Sequence, residues 1–164
     1  MKFAQITELA AAARDLVALS QKAPSNTHPE KAGGYLVIGS RGFEERYILK
    51  IGTCPAEKED KYRNLAQEKA HRLFSDWLRD PLTISSWQTR EPKLDRWGGA
   101  VSFPIIGERS PSCDIISFSG LIEPADEALG LMLGYQFNLA TDPSFAERVI
   151  SISANKVYRE MMQR

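Results

Sequence analysis

GGAVSFPIIGERSPSCDIISFSGLIEPADEA, residues 98–128, decides how this 164-residue chain is read. Two apolar runs, 100–106 and 114–119, are long enough for strands, and the link 107–112 between them carries Gly107 and Pro111. That composition marks a hairpin connection. Pro104 has no N–H to give to a ladder, so its strand is expected at a sheet edge or with a bulge. Ser119-Gly120 closes the second run, and Glu123-Pro124 opens a helix with Asp126 and Glu127 in its first turn. Carboxylates there complement the helix dipole and cap free N–H groups, so both are expected to serve the helix start. The stretch reads as an antiparallel hairpin with a tight strand-to-helix corner. It holds no nucleophile elbow, because Phe118-Ser119-Gly120 lacks the first glycine of that turn.

Working outward, Ile6, Leu9, Ala10, Ala13, Leu16 and Val17 recur at helical spacing and predict a first helix that stops before Pro24. Strands are expected at 35–38 and 47–51, joined by a hairpin that contains Gly42. A long amphipathic helix follows, with Tyr62, Leu65, Ala66, Lys69, Ala70, Leu73, Phe74 and Trp77 on one face and Pro81 as its stop. A further strand is expected at 82–87, before the charged loop 89–96. After the hairpin and the helix from Glu123 towards Leu139, Asp142-Pro143 opens a last helix reaching the C-terminus. The expected fold class is α+β, a five-stranded antiparallel sheet with helices packed on one face. The tryptophans at 77, 87 and 97 have unlike surroundings, and their even spacing carries no pattern.

The totals narrow the function classes. Twenty-one basic residues balance twenty-one acidic ones, with no basic stripe or aromatic interleaving, so no nucleic-acid partner is expected. Cys54 and Cys113 fall in no metal or redox spacing and read as free thiols of a reducing compartment. Glu8, Arg14 and Asp15 are foreign to a secretory h-region, and no apolar run reaches the length of a membrane span. A cytoplasmic protein without a membrane partner is expected.

Gly98-Gly99-Ala100-Val101, Pro104-Ile105, Ser119-Gly120-Leu121 and Asp126-Glu127, in that order, resemble the GlcG/HbpS-like family, also called the haem-degrading domain family. Glu68-Lys69-Ala70 resembles the lysine-alanine helix of that family. The likeness follows the layout of residues 1–140 and is sharp over 98–128; residues 141–164 form a C-terminal helical extension beyond the family pattern, and the charged link at 107–112 is longer. The resemblance implies a profilin-like or PAS-like fold, a homo-oligomer of dimer size or larger, and binding of haem or another small organic ligand.

Candidate site residues follow from both readings. Ser119 and Gly120 stand where backbone N–H groups and a hydroxyl can face an anion at a helix start, or simply form a turn suited to glycine. Lys69 interrupts an apolar face; such a lysine usually lays its stem on the core and its amine in water, and otherwise meets a ligand carboxylate. With Gly99 these are the expected ligand-binding residues, placed between the sheet and the second helix. His28 and His71 are the only imidazoles for haem iron; Tyr35, Tyr47, Tyr62 and Cys54 lack supporting spacing. Gly130 and Gly134 lie four apart in one helix and imply a close neighbour, either the C-terminal helix or a second subunit, unless Gly134 ends the helix. No acid–base pair or nucleophile stands out, so no catalytic residue is assigned. A small-molecule-binding domain is the leading expectation; the alternative is an interaction or assembly module using the sheet edge near Pro104 or the glycine face.

Overall fold

Leu36-Val37-Ile38 and Ile115-Ile116 are runs of consecutive buried apolar residues, which a sheet contains only when both of its faces are covered. The computed structural model, which describes residues 3–40, 43–105 and 112–164, shows such a sheet. Strand β1 (Ala32–Ser40) pairs antiparallel with β2 (Glu45–Thr53) on one side and with β4 (Ser112–Ser119) on the other. Strand β3 (Ala100–Ile105) lies beyond β4, giving the order β2-β1-β4-β3. Pro104 thus sits on an edge strand, where its missing N–H is tolerated.

Side chains alternate between two cores. Leu36, Ile38, Val101, Phe103, Ile116 and Phe118 face helices α1 (Phe3–Ser20) and α3 (Glu123–Gln136). Val37, Ala100, Cys113 and Ile115 face helix α2 (Glu59–Arg79), which buries Ala66, Lys69, Ala70, Leu73 and Trp77 at spacings of three and four. The helices therefore cover both faces, not the single face expected from the sequence. Helix α3 is sandwiched between the β3–β4 half of the sheet and the outer helices α1 and α5 (Lys156–Met162), so every residue from 125 to 131 is buried.

Among the described residues the sheet has four strands rather than five. Residues 82–87 meet β3 through the single bridge of Ser85 with Val101 and the bond from Ser102 N–H to the Ile84 carbonyl at 3.0 Å, and otherwise through side chains: Ser102 Oγ donates to the Thr83 carbonyl at 3.2 Å and Ser86 Oγ accepts from Ala100 N–H at 2.9 Å. Ser85 then caps the 3₁₀ turn Ser86–Thr89: its Oγ accepts from Trp87 N–H at 3.2 Å, and Gln88 Oε1 accepts from Ser85 N–H at 3.1 Å. Local side-chain bonds of this kind divert the backbone from the ladder.

The C-terminal region differs too. Helix α4 (Pro143–Ser153) ends at Ala154, whose φ is 53°, and Asn155 caps α5, so two short helices replace the single one expected. The glycine face of α3 meets the sheet and not another helix or subunit: Phe103 packs its ring on Gly134, and Gly130 lies over Ile116. Gly134 does not end the helix, which continues to Gln136. Residues 107–111 and Gly42 lie outside the described residues. Among the described residues no helix is long and apolar enough to cross a membrane.

Candidate functional site

The corner between β4 and α3 is built from backbone contact. Gly120, at φ 146°, lies against the Gly33 and Gly34 backbone of β1, and a Cβ there would run into the Gly33 carbonyl. Past the end of β4, Lys69 reaches over from α2 on the opposite face. Its Nζ donates to the Phe118 carbonyl and, at 3.1 Å, to Asp126 Oδ2. Asp126 Oδ1 accepts from Leu121 N–H at 3.1 Å. The two side chains are 1% and 4% exposed, so the pair is internal. Lys69 does not carry its amine to water, as a lone lysine on a core face would, because a carboxylate and a carbonyl await it inside. Burial pushes the Asp126 carboxyl up to about 6, against the pull of the Lys69 ammonium and the Leu121 N–H. Gly99, at φ 109°, makes room: a Cβ would stand 2.6 Å from Asp126 Cβ and 3.0 Å from Lys69 Nζ.

Asp126 and Glu127 are consequently not helix caps. Glu127 is fully buried and accepts from Ser85 Oγ at 2.6 Å, Ser153 Oγ at 2.5 Å and Asn155 Nδ2 at 2.9 Å. Burial raises its carboxyl, and the three donors oppose that rise. Both carboxylates lie in the buried run 125–131 of α3, and each finds its partners inside the protein.

Lys69, Asp126, Ser119 and Gly120 line a cavity of about 430 Å³ at this corner. Lys31, Lys61, Tyr62, Trp97 and Glu123 also belong to the lining. Trp97 is set by two arginines. Arg72, nearly buried on α2, donates to the carbonyls of Ser86, Thr89 and Trp97 at 2.7–3.1 Å and pins the loop. Arg90 lies between the Trp87 and Trp97 rings, 5.1 and 5.6 Å from their centroids, and pairs with Glu123 at 2.7 Å. The acidic groups of the lining are thus matched, Glu123 by Arg90 and Asp126 by Lys69. Among the described residues the Lys31 ammonium makes one hydrogen bond, to the Leu121 carbonyl at 3.3 Å, and the Lys61 ammonium has no hydrogen-bond or ionic partner.

The two histidines part company. His28 borders the cavity, half-exposed, with Nδ1 2.9 Å from Glu30 Oε1. His71 is exposed beside the β1–β2 hairpin, edge-on to Phe43 at 5.0 Å and 3.1 Å from Arg46, and is not in the lining of the corner cavity. Tyr35 donates to Glu59 at 3.0 Å, Tyr47 lies at 3.3 Å from Glu45, and Cys54 and Tyr62 line a neighbouring cavity. Among the described residues no group of three or more His, Cys, Asp or Glu side chains is arranged to hold a metal ion. The chain matches no family model, no curated protein and no solved structure.

Proposed function

We propose that the chain is a small-molecule-binding domain that takes a carboxylated metabolite in the corner cavity between β4, α2 and α3. The observation that carries this reading is the charge pattern of the lining: its acidic groups Glu123 and Asp126 are each in an ion pair, while the Lys31 and Lys61 ammonium groups are in none among the described residues. A carboxylate 4 Å from one such lysine gains about 4 kcal/mol near a protein surface before its own desolvation, and salt weakens that attraction. Ser119, Gly120 and Lys69 belong to the lining, and Gly99, outside it, makes room for the Lys69–Asp126 pair.

Calorimetric titration with hexanoate at low salt tests the reading. Saturable binding that Lys61→Glu abolishes is expected; no binding, or binding indifferent to Lys61→Glu, would overturn it. The haem form of the reading, suggested by the GlcG/HbpS-like resemblance, has one imidazole beside the cavity, His28, and a haemin titration in which His28→Ala leaves any Soret shift intact would exclude it.

We also propose self-association as the assembly reading, supported by a second cavity of about 710 Å³ with Leu16, Met132, Ala146, Tyr158 and Met162 among its walls. Its lining at α3, α4 and α5 is mainly apolar, and a second copy of the chain would remove that lining from water. Light scattering should show a dimer or larger species that Met132→Glu dissociates; a monomer at all concentrations would sink this part.

A further inference from the structure

The corner cavity has a neighbour of about 260 Å³ walled by Thr53, Cys54, Pro55 and Lys58, and the two share Lys31, Tyr62 and Gly120 in their linings. The shared residues stand between them, so the two spaces adjoin along the Lys31 and Tyr62 side chains. Their charges are unequal. Lys69 and Asp126 neutralise each other, as do Glu123 and Arg90. What is left is Lys31, Lys58 and Lys61 against Glu30, with His28 held on Glu30. The ammonium groups of Lys58 and Lys61 have no hydrogen-bond or ionic partner among the described residues. Glu59, nearby on α2, is engaged by Lys50 at 2.5 Å and by Tyr35, while Glu57 stands on the exposed turn Ala56–Lys58 and lines neither space. Burial pushes the Cys54 thiol and the Tyr62 phenol up, so both stay neutral and add no negative charge at neutral pH.

We propose that the two cavities form one bipartite site for an elongated dianion of the α,ω-dicarboxylate class, one carboxylate at Lys61 and the other at Lys58, with Lys31 and Tyr62 between them. The inference rests on the carboxylate reading of the corner cavity and adds the second anchor. Two net positive charges at the linings match two carboxylates, and the Lys58 end lies in a different cavity from Lys61, which calls for a ligand with separated charges.

The test is calorimetric titration at low salt with glutarate, adipate and suberate, beside hexanoate and sulfate. One dicarboxylate length should bind at least tenfold more tightly than hexanoate or sulfate. Lys58→Gln should bring that dicarboxylate to the affinity of hexanoate and leave hexanoate unchanged, and Lys58→Arg should retain the preference. Both are exposed-residue substitutions that leave the core untouched. Equal binding of hexanoate and every dicarboxylate overturns the bipartite site and leaves the single-cavity reading standing. A dicarboxylate preference indifferent to Lys58→Gln, or a loss shared equally by hexanoate, overturns it as well. Absence of binding by every carboxylate overturns both readings.

Discussion

Lys69 on α2 and Asp126 on α3 meet at 3.1 Å beyond the end of β4, although their helices cover opposite faces of the sheet. The pair therefore crosses the sheet plane at the end where Gly99 leaves space. It ties the two cores together directly under the cavity, so the floor of the candidate site and a structural cross-link are the same two side chains.

Breaking the pair should be costly. Removing one partner of a buried ion pair leaves an uncompensated charge and typically costs about 3–5 kcal/mol. Lys69→Met is expected to lose that much in urea denaturation, and Lys69→Met with Asp126→Leu should recover most of it because both charges then leave together. A single-variant loss below about 1 kcal/mol would show that the charges are solvated in solution.

The Asp126 carboxyl also fixes a sign for the pH dependence. Its folded value of about 6 lies above its ordinary 3.8, so between those values the folded state holds more of the proton. Stability from this group is therefore greatest at low pH and declines as pH rises from about 4 to 6, by about 1.4 kcal/mol per unit at the steepest. Asp142, Glu30, Glu59 and Glu160 are shifted downward and act in the opposite direction, so the readout is the difference between wild type and Asp126→Asn. That difference should fall across pH 4–6 and level off above 7. A flat difference would place Asp126 at an unshifted value.

Helix α2 was legible in the sequence because its apolar positions repeat every three or four residues and Pro81 stops it. The corner at Ser119-Gly120 was legible because a glycine follows a strand and a Pro-containing helix start. Residues 82–87 misled because local alternation cannot show that the Ser85 hydroxyl reaches Glu127, 42 residues on. The partner of Lys69 lies 57 residues away and was equally hidden. A signal for both carboxylates did exist. Ala125, Ala128, Leu129, Leu131 and Leu133 leave α3 without a polar face, so Asp126 and Glu127 had to be buried and partnered. Trp87 and Trp97 converge on Arg90 through a folded loop, and no periodicity encodes that.

The glycines of the two regions should respond differently to the same substitution. Gly99→Ala places a Cβ 2.6 Å from that of Asp126 on a backbone at φ 109°, and is expected to cost about 2 kcal/mol or more. Gly130→Ala meets nothing closer than the Ile116 carbonyl at 3.5 Å, in a helix interior where alanine is favoured by up to about 1 kcal/mol. It should be neutral or stabilising in thermal denaturation. A comparable loss at Gly130 would mean that α3 lies tighter on the sheet than 3.5 Å allows.

Glu127 separates the role of a charge from the role of an acceptor. Its three donors come from the turn after residue 85 and from the α4–α5 junction at Ser153 and Asn155, so one carboxylate holds two distant segments on α3. Glu127→Ala strands those donors, each costing roughly 1–3 kcal/mol when buried, and should lower stability by about 3 kcal/mol. Glu127→Gln keeps one carbonyl oxygen for Ser153 and Asn155, and its amide can donate to the Ser85 hydroxyl while the buried charge is lost. It should cost less than about 1 kcal/mol. Hydrogen exchange adds a local readout: amides at 153–158 should lose protection in Glu127→Ala and keep it in Glu127→Gln. Equal loss in both variants would mean that the negative charge, and not the hydrogen-bonding, holds the C-terminal helices in place.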